Sequence, residues 1–200
     1  MGFGFPLIIH KISLFSKGQI DKFFIYNTYD SNTLGHYAAA FQLASVLIVL
    51  FGAINKALVP YFYGMLSKDM LRFEWINKSL LIITIFTFIV LLSVYQIPDS
   101  FYSLLLGNEF AELSYFVSVF AFGFTWQLAY FLLVNIFFYY GENKLISVIT
   151  FVSSFFYIFL VILFKNNLFL IPLAIVISNV FTVIMLYILL MRKFTSFKKG

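Results

Sequence analysis

The sequence predicts an all-α, polytopic membrane protein, one bundle of six transmembrane helices with both termini cytoplasmic, on three observations. Of 200 residues, 62% are hydrophobic and 10% charged, against roughly 25% charged in ordinary soluble domains. Apolar runs of about 20 residues, the length that crosses about 30 Å of hydrocarbon, recur six times with short connections between them. The Lys and Arg residues between those runs collect on one side of the resulting topology.

The spans run from Pro6 to Asn27, Gly35 to Leu66, Lys78 to Ile97, Leu113 to Phe138, Leu145 to Phe164 and Leu168 to Met191. Residues 1–191 therefore form the bundle and 192–200 a basic cytoplasmic tail. Lys68, Arg72, Lys78, Lys144, Arg192, Lys193, Lys198 and Lys199 fall on one face, and Lys165 alone on the other. That bias puts both termini inside. The connection from Pro98 to Glu112 carries Asp99, Glu109 and Glu112 without Lys or Arg, which fits the external face. Within it, Phe101, Leu104 and Leu105 lie between Pro98 and Gly107, a short interfacial helix with a glycine stop. The apolar start lacks the short basic-then-apolar pattern of a cleavable signal, so the first helix is expected to stay in the mature protein. The second span exceeds the hydrocarbon at about 1.5 Å per residue and is expected to tilt or project.

The first helix is the expected working part. It embeds His10, Lys11, Lys17, Asp21 and Lys22, and an ionisable group in hydrocarbon costs about 3 kcal/mol on insertion scales. At about 100° per residue all five share one side, opposite Ile12, Ile20 and Phe23. Asp21 stands four residues after Lys17, a spacing that allows an ion pair. On the second helix, Pro60 cannot donate to the carbonyl of Lys56, so a bend or hinge is expected beside a charge. Gln42, Ser45, Gly52, Asn55, Lys56 and Tyr63 form a small and polar stripe there. A cationic strip of this kind suits a phosphate or diphosphate in a low-dielectric cavity. Structural ion pairs, close helix packing and snorkelling lysines are the alternatives. Gln127 and Asn135 on the fourth span read as interhelical glue.

Other chemistry is missing from the pattern. Cysteine is absent, and His10 and His36 lie far apart, so thiolate and zinc sites are not expected. No phosphate loop, metal-ligand spacing or Ser/His/Asp set appears. The expectation is no enzyme, no cofactor, no metal and no nucleic-acid partner.

Three stretches carry a family resemblance: Pro6-Leu7-Ile8-Ile9-His10, Asp21-Lys22-Phe23-Phe24-Ile25 and Leu34-Gly35-His36-Tyr37-Ala38-Ala39-Ala40-Phe41-Gln42-Leu43. With Ala53-Ile54-Asn55-Lys56-Ala57-Leu58-Val59-Pro60-Tyr61-Phe62-Tyr63, this order resembles the second half of bacterial Wzx-type polysaccharide flippases. Those belong to the multidrug/oligosaccharidyl-lipid/polysaccharide exporter superfamily. Gly107-Asn108-Glu109-Phe110 and Tyr139-Tyr140-Gly141-Glu142-Asn143-Lys144 are similar as well. The resemblance implies a C-terminal half whose partner is a second six-helix half enclosing a shared cavity. It implies transport of a polyprenyl-diphosphate-linked oligosaccharide across the bacterial inner membrane, as in O-antigen and lipopolysaccharide synthesis. Substrate contacts are then expected from Lys17, Lys22, Lys56, Lys11, His10, Asp21, Gln42 and Asn55, with Pro60 as hinge. A drug/cation antiporter half, a noncatalytic assembly subunit and a membrane glycosyltransferase or polymerase are the competing readings.

Overall fold

The computed structural model describes residues 15, 17–110 and 113–197, with side chains as far as Lys193. Among these residues every regular element is helical. We label them α1 (Ile20–Thr28), α2 (Ser31–Ser67), α3 (Phe73–Tyr95), α4 (Asp99–Leu106), α5 (Ser114–Thr125), α6 (Gln127–Tyr139), α7 (Asn143–Phe164) and α8 (Leu173–Phe197), with a 3₁₀ turn at Asn108–Phe110. Five helices among the described residues are long and apolar enough to cross a membrane, Ser114–Tyr139 counting as one. The chain is a multi-pass membrane protein.

The first predicted span differs from expectation. His10 and Lys11 lie outside the described residues, and the described part is not one straight helix. Residues 17–19 form a turn, closed by Gly18 N–H donating to the Phe15 carbonyl at 3.1 Å, and the helix begins at Ile20. A helical projection drawn through Lys17 and Asp21 therefore fails at Gly18. The two side chains enter different environments.

Local chemistry explains the other boundaries. Asp30 caps α2 by accepting from Thr33 N–H at 2.6 Å, satisfying one of the unpaired first-turn donors. Helix α2 runs 37 residues without a break through Pro60, about 55 Å at the standard rise. The short helix is found at Asp99–Leu106 behind Pro98, and Gly107 stops it at φ 103°, a conformation that favours glycine. Thr125 donates back to the Ala121 carbonyl at 2.7 Å where α5 gives way to α6 at Trp126, a bond that bends helices.

Helix α5 is the hub, packing against α2, α3, α6 and α8. Ala40 and Ala44 of α2 let Phe120 and Phe124 approach, and Phe41 meets both rings edge-on at 5.3 Å. A Cβ on Gly123 would stand 3.2 Å from Val176 Cγ2 and 3.3 Å from Ile175 Cγ2, so this glycine sets the α5–α8 distance. Such close packing replaces the hydrophobic force that lipid does not supply between helices. Helix α3 exposes Leu81, Ile82, Ile85, Ile89 and Leu92 along much of its length, a face suited to hydrocarbon. A second core, around Leu133, Phe137, Ile146, Leu186 and Leu190, joins α6, α7 and α8 near their other ends.

Candidate functional site

Lys17 is buried, 6% exposed, although lysine is ordinarily a charged surface residue. Its Nζ donates to Ser153 Oγ at 2.7 Å, Thr182 Oγ1 at 3.2 Å, Asn179 Oδ1 at 3.3 Å and the Ser178 carbonyl at 3.5 Å. All four acceptors are neutral, and no carboxylate among the described residues pairs with it. Ser178, Asn179 and Thr182 share a face of α8 by i, i+1 and i+4 spacing, and Ser153 reaches them from α7.

Beside Lys17 lies a cavity of about 270 Å³, walled by Gly18, Phe41, Trp126, Gln127, Tyr130 and Asn179, among others. The step between α5 and α6 puts Phe124, Trp126, Gln127 and Tyr130 on that wall. The Trp126 indole N–H is buried and has no hydrogen-bond partner among the described residues. Lys22 flanks the same wall: its Nζ sits 3.6 Å from the centroid of the Phe41 ring and donates to the Gly18 carbonyl. The turn at Gly18 thus presents two cations and one aromatic ring together. A cation over a ring face is worth about 0.5–2 kcal/mol.

Asp21 belongs to a neighbouring network. Its carboxylate is 0% exposed, accepts from the Tyr37 hydroxyl at 2.6 Å and from the Lys22 backbone N–H at 2.9 Å, and makes no ion pair with Lys17. Its place in the first turn of α1 is one that a helix dipole favours for an anion. Tyr157 of α7 faces the same carboxylate from a fully buried position.

The remaining predicted positions are not gathered here. Gln42 and Lys56 are exposed. Asn55 is half-buried and accepts from Asn135 Nδ2 at 2.8 Å, on the wall of a separate apolar groove of about 280 Å³ between α2, α3 and α6. Pro60 is exposed on α2. Sequence reasoning assigned no role to Ser153, Ser178, Asn179 or Thr182. The signal was present in the i, i+1, i+4 polar spacing on an otherwise apolar helix.

Comparison with known proteins decides the family. Residues 1–115 match the sequence profile of the family described as "Polysaccharide biosynthesis protein". The chain belongs to this family. It is 39% identical over 158 residues to Lsg locus protein 1 of Haemophilus influenzae, and 35% identical over 162 residues to an uncharacterized membrane protein of the same organism. Each match covers 79% of this chain and 39% of the relative, so the chain spans about two fifths of the length of the curated relatives it matches. No solved structure matches it. The matched segment contains the turn at Gly18, Lys17, Lys22, Asp21 and the whole of α2.

Proposed function

We propose that the chain forms the C-terminal helical bundle of a flippase, a transporter and not an enzyme. It turns a polyprenyl-diphosphate-linked oligosaccharide from the inner to the outer leaflet of a bacterial inner membrane. A second bundle, on the same polypeptide or on a partner, supplies the opposing wall of the pathway, and both ends of this bundle face the cytoplasm. The observation that carries the reading is Lys17, a buried lysine amine on a cavity wall with no carboxylate among the described residues paired to it.

An anion reaching that cavity competes well for the amine, because a charge-assisted hydrogen bond is roughly twice as strong as one to a neutral acceptor. The diphosphate therefore draws Lys17 toward the cavity, with Lys22 adding charge from behind Phe41. Trp126 and Tyr130 offer ring faces to the sugar, and Gln127 offers both a donor and an acceptor to its hydroxyls. The polyprenyl tail remains in lipid. Lys56, His10, Lys11, Gln42 and Asn55 are assigned to secondary contacts along the route, and Pro60 to its flexing. A cation antiporter would present a carboxylate to its cargo, whereas Asp21 is spent on Tyr37 and Lys22 N–H and is not on the cavity wall.

The test is complementation of a flippase-deficient strain by the whole protein. Lys17→Ala is expected to lose most surface polysaccharide and to accumulate lipid-linked precursor, with smaller losses for Lys22→Ala and Lys56→Ala. Wild-type polymer from the triple variant overturns the reading. Polymer of altered length or linkage without accumulated precursor overturns it in favour of a polymerase.

A further inference from the structure

The oxygens around Lys17 are oriented as a cation cage. The Ser153 hydroxyl donates to the Ser178 carbonyl at 3.0 Å, and the Thr182 hydroxyl donates to the same carbonyl at 2.7 Å. The two hydroxyls also hydrogen-bond to each other, so their two hydrogens are shared between that contact and the Ser178 carbonyl, and lone pairs are left for Nζ. Asn179 Nδ2 donates to the Gly123 carbonyl at 3.1 Å, which holds Oδ1 toward the amine. The Ser178 carbonyl completes a set of four oxygens, and Ser153, Ser178 and Thr182 are themselves buried. Without the Lys17 amine, the remaining lone pairs of Ser153, Thr182 and Asn179 would converge on one point with no other donor to them among the described residues, an arrangement costly in a low-dielectric interior.

We propose that this cage is a site for a monovalent cation of potassium size, that the Lys17 ammonium is its built-in occupant, and that a free ion takes its place when Lys17 is drawn to an anion. The distances select the class of ion. Spacings of 2.7 to 3.5 Å exceed those of about 2.3–2.6 Å for calcium and about 2.0–2.1 Å for magnesium, and the absence of a carboxylate from the set also disfavours a divalent ion. Neutral carbonyl and hydroxyl oxygens replacing a hydration shell are how a larger alkali ion is held. An ammonium has three hydrogens, already shared among four oxygens, so Lys17 cannot serve cage and anion fully at once. The exchange rests on the flippase reading; the cage itself does not.

The experiment uses the purified whole protein, with its thermal midpoint followed by tryptophan fluorescence in potassium, sodium or choline chloride at equal ionic strength. In Lys17→Ala, potassium is expected to raise the midpoint saturably by about 3 °C or more over choline. Wild type is expected to show no such difference, and adding Ser153→Ala and Thr182→Val to Lys17→Ala is expected to abolish it. A Lys17→Ala midpoint equal in all three salts overturns the cage, as does a potassium effect that survives loss of the two hydroxyls. Should Lys17→Ala fold only in potassium chloride, that supports the cage. Failure in every salt, together with a Lys17→Met variant indifferent to the cation, overturns it. No lipid-linked substrate enters the measurement, so its failure leaves the anion reading standing, and failure of that reading leaves the cage standing.

Discussion

Removing the Tyr37 hydroxyl isolates the energetics of the buried Asp21 network. Tyr37→Phe deletes one donor, 2.6 Å from a carboxylate that is 0% exposed, and leaves it the Lys22 backbone N–H, with Tyr157 facing it from α7. The ring remains and still packs edge-on against Phe120 at 5.0 Å, so the cavity term is close to zero. Two magnitudes compete. Interhelical hydrogen bonds in membrane proteins average about 0.6 kcal/mol, because the unfolded chain also finds partners. A hydrogen bond to a charged group is worth about 1.5–3 kcal/mol, and a buried carboxylate short of donors bears further desolvation. The short distance, the Lys22 backbone N–H and the place in the first turn of α1 favour the second, so Tyr37→Phe is expected to cost about 1.5–3 kcal/mol. In an Asp21→Asn background the acceptor is neutral and the same change should cost about 0.5–1 kcal/mol, giving a coupling of at least about 1 kcal/mol. Denaturant unfolding of the whole protein in mixed micelles, run as a double-mutant cycle, measures both. Costs below about 0.5 kcal/mol in both backgrounds refute the assignment of Tyr37 as the partner that makes a buried Asp21 tolerable.

Three further outcomes follow from the packing and caps. Gly123→Leu forces a side chain into the contact with Ile175 and Val176, and should destabilise by about 1–3 kcal/mol in the same unfolding assay. Asp30, held below the usual carboxylate range chiefly by its hydrogen bonds to Thr33, has a depressed folded-state pKa. Its stabilisation is therefore complete above the unfolded value of about 3.9 and disappears as pH falls through the folded one. Asp30→Asn keeps a capping side chain and should flatten the acid limb of a stability–pH profile below about pH 4. The Glu142–Lys193 ion pair is partly exposed at its carboxylate and about a third exposed at its lysine. Glu142→Gln should change stability by less than about 1 kcal/mol, and salt should reduce even that difference.

Much of the fold was written in hydropathy, because backbone groups in lipid must be satisfied within helices and a long apolar run has few alternatives. The stop at Gly107 was legible for a local reason, a residue suited to positive φ after a short amphipathic run. The break at Gly18 was not, since glycine is tolerated inside membrane helices and a uniform 100° projection hides any interruption. That single turn separated Lys17 from Asp21 and redirected the expected pair: Lys17 to the oxygens of α7 and α8, Asp21 to Tyr37. The partners of Lys17 come from 136 to 165 residues away in sequence. Their hydroxyls look like ordinary membrane-helix polar residues until the bundle assembles them. Lys56 and Gln42 show the converse, polar positions conspicuous in the sequence that the fold leaves exposed.

The central claim is that Lys17 binds the anionic group of the cargo. Reconstitution of the whole protein into vesicles, with transbilayer movement of a polyprenyl-diphosphate oligosaccharide as the readout, tests it most directly. Loss of a charge-assisted bond worth about 1.5–3 kcal/mol predicts that Lys17→Ala moves the lipid about tenfold to a hundredfold more slowly, while Lys17→Arg, which keeps the charge, retains part of the rate. Equal rates for wild type and a folded Lys17→Ala protein would contradict the account.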